Sequence, residues 1–143
     1  MVNIFDVEAG KLIPKLKDEL KKVEQIKPPA WSKFVKTAVV KSRPPQEDDF
    51  WYTRAAAMLR QMYKTDRPLG VQRLRTKYGG KEQNRSKPAH YKKGSGSIIR
   101  KLMQQLESAG FVKKTTVNKH AGRVLTPKGK SFIDKVARTV LKG

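Results

Sequence analysis

Between Arg67 and Gly96, nine lysines and arginines stand against a single acid, Glu82, an imbalance that constrains this chain more than any other feature. It reads RPLGVQRLRTKYGGKEQNRSKPAHYKKGSG, with Tyr78, His90 and Tyr91 set among the charges. Such a segment repels itself unless a polyanion neutralises it, so it points to a partner outside the chain. Guanidinium, amine and aromatic groups mixed in this way suit nucleic acid, whose phosphates attract cations and whose bases present flat faces to the rings. Within it only a short helix, Val71 to Tyr78, is expected to turn residues inward: Val71, Leu74 and Tyr78.

The chain has 143 residues, enough to bury one core without staples, and residues 1–143 are expected to form a single domain. The formal net charge is +21, spread along the chain and not confined to a tail. Self-repulsion of that size destabilises an isolated compact state and suits a protein that works inside a counter-charged assembly. There is no cysteine, which excludes disulfides and thiolate metal sites and agrees with a reducing compartment. The N-terminal MVNIFDVEAG lacks the basic flank and long apolar run of a signal peptide, and no run of 18 apolar residues occurs. A cytoplasmic protein with no membrane partner is expected.

Helical periodicity organises the chain. Ile13, Leu16, Leu20 and Val23 mark an amphipathic first helix, with Pro14 either in its first turn or kinking it, and Pro28-Pro29 ending the element. Trp31, Phe34 and Val35 suit a short turn packed on the core, and Thr37 to Lys41 could be extended. Asp48 or Asp49 is expected to cap a helix from Phe50 to about Lys64, whose apolar stripe is Trp51, Ala55, Met58 and Met62, widened by Leu59. Asp66-Arg-Pro breaks it. A short helix, Val71 to Tyr78, ends at Gly79-Gly80 and leads into a polar, mobile loop, Lys81 to Gly96. Ser95 or Ser97 then starts a helix with Ile98, Leu102, Leu106 and Ala109 inward, broadened by Ile99 and Met103, which stops at Gly110. Its outer side carries Ser97, Arg100, Lys101, Gln104 and Gln105. Two short strands flank a tip at Asn118-Lys-His-Ala. Thr126-Pro127 opens a last helix bearing Phe132, Ile133, Val136, Ala137, Val140 and Leu141.

Short helix, loop, capped helix, basic-tipped hairpin and closing helix follow the winged-helix order, a helix-turn-helix variant. The fold class is therefore mainly α: a helical domain around a central amphipathic helix, with a winged-helix-like part at about 50–143 containing a small β-hairpin. The fold alone does not specify function, since it also serves in protein contacts. Arg100, Lys101, Gln104 and Gln105 lie where a helix would enter a groove, and can bind phosphate, read base edges or simply face water. Arg54 lies near the apolar side of its helix, where its stem can pack on Trp51 or Met58. Gly94-Ser-Gly-Ser before a helix, beside Lys92 and Lys93, is either a phosphate cradle or an ordinary N-cap. His90 and His120, the only histidines, lie in different loops without carboxylates at motif spacing, so neither a catalytic set, a metal site nor a cofactor is expected.

Trp51-Tyr-Thr-Arg-Ala-Ala-Ala, Lys77-Tyr-Gly-Gly, Pro88-Ala-His-Tyr, Gly94-Ser-Gly-Ser-Ile-Ile-Arg and Gly122-Arg-Val-Leu-Thr-Pro-Lys-Gly together resemble the ribosomal protein nineteen family of the archaeal and eukaryotic small subunit, which is distinct from the bacterial protein of that number. The resemblance runs from the first helix to the last. It implies a place on rRNA in the head of the small subunit, among neighbouring ribosomal proteins, a need for the protein in subunit maturation, and a monomer within the ribosome. Two departures stand out: Phe50-Trp51 reverses the order of many relatives, and the chain ends at Gly143 without the tail of many eukaryotic members. With the lysine-rich character, this leans toward an archaeal source. Family positions associated with function fall on Arg54, Arg60 and Arg100 and on the basic stretch between Gly79 and Gly96. The candidate rRNA-contacting residues are therefore Arg54, Arg60, Lys64, Arg67, Arg73, Arg75 and Lys77, then Lys81, Arg85, Lys87, His90, Tyr91, Lys92 and Lys93, then Ser95, Ser97, Arg100, Lys101 and Gln104, and finally Lys119 and Arg123. A structural, non-enzymatic rRNA-binding component is expected. The alternative is a winged-helix transcription factor on duplex DNA.

Overall fold

The central helix, Phe50–Lys64 (α2), buries Trp51, Ala55, Ala56, Met58, Leu59 and Met62, and the rest of the chain is arranged around that stripe. A computed structural model describes residues 2–65, 67–82 and 86–143; the expectations for Asp66 and Arg85 lie outside them. A short 3-10 turn, Ile4–Asp6, precedes the first helix, Ala9–Leu20 (α1). This helix lays Leu12, Leu16 and Leu20 against α2 and the last helix. Ile13 is half-buried, and Val23 falls beyond the helix end. The helix starts five residues ahead of Pro14, which therefore sits in its interior and withdraws the amide that the Gly10 carbonyl would accept.

Asp49 holds the N-cap position of α2, but its carboxylate makes no capping bond. It accepts instead from Lys21 Nζ at 2.7 Å, with Lys17 Nζ at 3.7 Å. Glu47 takes Lys17 at 3.2 Å and the Thr53 hydroxyl at 3.1 Å. A flexible ammonium can outcompete an amide for an exposed carboxylate, and here it ties α1 to the start of α2.

After α2 come Val71–Lys77 (α3), Gly96–Ser108 (α4), a hairpin of Val112–Val117 (β3) and His120–Leu125 (β4), and Pro127–Lys142 (α5). Before α3, Leu69 exchanges two backbone hydrogen bonds with Arg123 of β4, N to O at 3.0 Å and 2.9 Å. Three helices, a bridging residue and a two-stranded wing make the winged-helix arrangement. The ends of α4 are fixed locally. Ser95 Oγ accepts from the Ile98 amide. At the other end Gly110, at φ +85°, lets the Phe111 and Gly110 amides reach back to the carbonyls of Leu106 and Glu107. Thr126 Oγ accepts from the Gly129 amide at 3.2 Å and donates to the Gly110 carbonyl at 2.6 Å, joining the end of α4 to the start of α5. The wing turns on Asn118 and Lys119, both left-handed at φ 50° and 68°, as a two-residue hairpin requires. Its tip is shorter than expected, since His120 and Ala121 already belong to β4.

Four other features depart from expectation. The basic segment after α3 is not wholly irregular: Gly80–Lys81 (β1) pairs antiparallel with Tyr91–Lys92 (β2), closing it into a ribbon at its base. Phe34 is 81% exposed and Trp31, though edge-to-face with Trp51, is exposed as well, so of the three residues expected on the core only Val35 packs there. Thr37 to Lys41 forms no strand, although Ala38 bridges to Gly94. Leu141 is exposed, while its neighbour Val140 packs against the core. One apolar cluster extends from Ile4 to Ala137 and draws on all five helices.

Candidate nucleic-acid interface

The 3.6-residue period splits α4 into two faces. Ile98, Ile99, Leu102, Met103 and Leu106 are buried, which leaves Ser97, Arg100, Lys101 and Gln104 exposed. Gln105, expected on the outer side, is half-buried and fully engaged. Its Oε1 accepts from Trp51 Nε1 at 2.8 Å, while its Nε2 donates to the Lys27 carbonyl at 2.7 Å. Helical periodicity puts Gln105 on the border between faces, and no local signal marks the distant partners.

Beside α4 lies α3, whose Arg73 and Lys77 are exposed. Arg75 is half-buried and anchors the approach to α4: its Nε donates to the Gly94 carbonyl at 2.9 Å, and its own carbonyl accepts from the Gly94 amide at 2.8 Å. On the ribbon Lys81, Lys87, His90, Tyr91, Lys92 and Lys93 are exposed. Lys92 faces Glu82 at 3.3 Å, Lys93 reaches Gln72 at 3.4 Å, and the Tyr91 hydroxyl donates to the Thr76 carbonyl, so the ribbon is fastened to α3. Ser95 is occupied as the helix cap, and Ser97 sits one step inside the helix with its side chain outward. The Lys119 side chain caps the wing, and Lys64 and Arg67 are exposed around the end of α2.

Besides Arg75, three candidate arginines are drawn into the body of the protein. The Arg54 guanidinium lies 4.0 Å from the centre of the Tyr78 ring and 5.3 Å from that of Phe50. Burial pulls its pKa below the usual guanidinium value, opposed by its interaction with Tyr78. Tyr78 moves up for the same reason, against the pull of Arg54. Arg60 is half-buried and its Nε is enclosed without a partner. Arg123 has a side chain only 14% exposed, with Nε 3.2 Å from Glu107 Oε2, which ties the wing to α4. Further exposed cations stand outside the candidate set, among them Lys113 and Lys114 on β3 and Lys130, Lys135 and Arg138 on α5. Ser131, Lys135, Arg138 and Lys142 recur at helical spacing, a periodic signal that the apolar stripe of the same helix obscures.

Among the described residues, no three histidines or acids gather as a metal site, and no helix is long and apolar enough to cross a membrane. In class, this is a winged-helix-like protein with a cationic face formed by α3, the ribbon and α4. The model of the family described as Ribosomal protein S19e matches residues 3–143. The small ribosomal subunit protein eS19 of Aeropyrum pernix is 45% identical over 143 residues, covering 99% of this chain and 92% of that protein. Its namesake in Thermoplasma volcanium is 44% identical over 142 residues, with 99% and 91% covered. The rice protein of that name, from Oryza sativa subsp. japonica, is 36% identical over 137 residues, with 96% and 91% covered. The chain belongs to the ribosomal protein S19e family.

Proposed function

We propose that the protein is a structural constituent of the small ribosomal subunit, seated on rRNA in the subunit head and required for maturation of that subunit. The observation that carries this reading is the cationic face of α3, the ribbon and α4. Arg73, Lys77, Lys81, Arg100 and Lys101 are exposed there and make no ion pair among the described residues. Family membership supplies the ribosomal context, because the relatives carry small-subunit names. The mechanism is phosphate neutralisation over a broad surface, reading RNA shape more than sequence. In this reading the whole chain acts as one domain and one monomer, held by a core that spans Ile4 to Ala137.

The candidate residues then divide by role. Arg100, Lys101, Gln104 and Ser97 meet RNA from α4, while Arg73, Lys77 and the ribbon lysines meet it from beside. Lys119 reaches a separate segment from the wing tip. Arg54, Arg75 and Arg123 hold these elements in place and touch RNA little or not at all. The DNA-binding alternative has no observation in its favour beyond the fold itself.

Sedimentation of cell extract through sucrose tests the proposal, with co-migration alongside small subunits as the expected result. Recovery at the top of the gradient, or on chromosomal DNA, would overturn it. Affinity for rRNA fragments should also fall by roughly 10³-fold or more between about 50 and 200 mM salt, as six or more phosphate contacts require.

A further inference from the structure

An open groove of about 680 Å³ lies where the 3-10 turn Ala30–Lys33 and the chain after it meet the start of α4. That volume is within the roughly 300–1,000 Å³ of small-ligand clefts. Three of its apolar members are exposed to an unusual degree: Phe34 at 81%, Val39 at 71% and Trp31 at 38%. Trp31 is held in place by an edge-to-face contact with buried Trp51, centroids 5.8 Å apart and planes at 84°. The groove's charged lining is cationic only, with Lys36, Arg75 and Lys93 and no carboxylate. Arg75 is fixed by its bond to Gly94, while Lys36 and Lys93 have only the Val39 carbonyl and Gln72 as neutral partners at 3.3 and 3.4 Å.

We propose that this groove receives an unpaired nucleotide of RNA, its base against the rings of Phe34 and Trp31 and its flanking phosphates against Lys36 and Lys93. Flat aromatic faces between cations match a base between phosphates. An apolar peptide would leave the three cations desolvated and unpaired, whereas a polyanion satisfies them. The groove is also continuous with Ser97 on the exposed face of α4, so a strand lying along that face runs directly into it. The inference rests on the rRNA-binding reading and adds to it a single-stranded element recognised by stacking.

Intrinsic fluorescence provides the test, because of the two tryptophans Trp31 is half-open and Trp51 is 1% exposed. The intact protein is titrated with a short oligouridylate and with an RNA duplex carrying the same number of phosphates. The oligouridylate should quench Trp31. Phe34→Ala should weaken single-strand binding on the order of tenfold, the loss of one base–aromatic stack, while duplex affinity and melting temperature stay unchanged. If Phe34→Ala binds the single strand as the parent does, or if the strand leaves the fluorescence unchanged, the groove is not a nucleotide site; retained duplex binding would then leave the rRNA-binding reading standing. If neither RNA binds, that reading falls and takes the groove with it. Quenching by an oligoglutamate as strong as that by the oligouridylate would assign the groove to an acidic protein segment and overturn the inference.

Discussion

Residues 1–49 carry ten basic and eight acidic side chains, whereas residues 50–143 carry twenty-three and four. At the α1–α2 junction the lysines end on carboxylates: Lys17 on Glu47, Lys21 on Asp49, Lys22 on Glu19. Across α3, the ribbon and α4 only Glu82 and Glu107 are at hand, and each takes a single cation, Lys92 and Arg123. The same residue types therefore act as internal fasteners in one place and as an unmet demand for anions in the other. Cation count does not separate the two uses; the supply of acid within reach does. The net charge, spread along the chain at first sight, resides almost wholly in the winged-helix part.

The largest effect is expected where both halves depend on one side chain. Trp51→Ala removes a buried indole from the central stripe and leaves Gln105 without its donor, so urea unfolding should show a loss of about 3–5 kcal/mol. A loss below about 1 kcal/mol would mean that this contact does not seat α4 on α2. Next come two charge reversals with opposite signatures. Arg100→Glu should sharply weaken rRNA-fragment binding and lower its logarithmic salt slope by about 1 or more, with the melting temperature held within a few degrees. Lys21→Glu sets a like charge beside Asp49 and Asp18, and should lower the melting temperature while leaving RNA binding intact. If the two variants exchanged phenotypes, the division between fasteners and contact surface would fail.

The smallest effects are in pH. The Tyr63 hydroxyl donates to Asp134 at 2.8 Å, and burial, reinforced by that bond, pushes its pKa up to about 12. A tyrosine in the unfolded chain ionises near pH 10, so this contribution is complete below about 10 and is lost as pH rises toward 12. Tyr63→Phe should flatten the alkaline side of a stability–pH curve. The Lys21 hydrogen bond holds the Asp49 carboxyl below its ordinary range. That contribution is present above about pH 4 and fades as pH falls further, and Asp49→Asn should remove it.

Where information is local, the residues declared the structure. The periodic stripes of α2 and α4, the Ser95 and Thr126 caps and the Gly110 stop all lie within a turn or two of the features they determine. Pairing between distant segments was not legible. The β1–β2 ribbon rests on two residues per strand with no alternation, so nothing in the sequence distinguishes it from a loop. Asp49 reads as a cap because the amides are adjacent in sequence, while Lys21, 28 residues away, takes its carboxylate. The candidate site was legible in its charges and opaque in their employment: Arg75 and Arg123 look like Arg73 and Arg100 until their partners are seen.

The close approach of Gly79 to the ribbon has a further consequence. A methyl group there would collide with the Lys92 carbonyl and the Tyr91 hydroxyl, so the chain leaving α3 meets β2 backbone to backbone with no room for a spacer. The heading of the ribbon is thus set by the helix it leaves, not by its own brief ladder. Lengthening the segment between Glu82 and His90 would extend its range without turning its aim, whereas any side chain at position 79 would swing the whole arm off course.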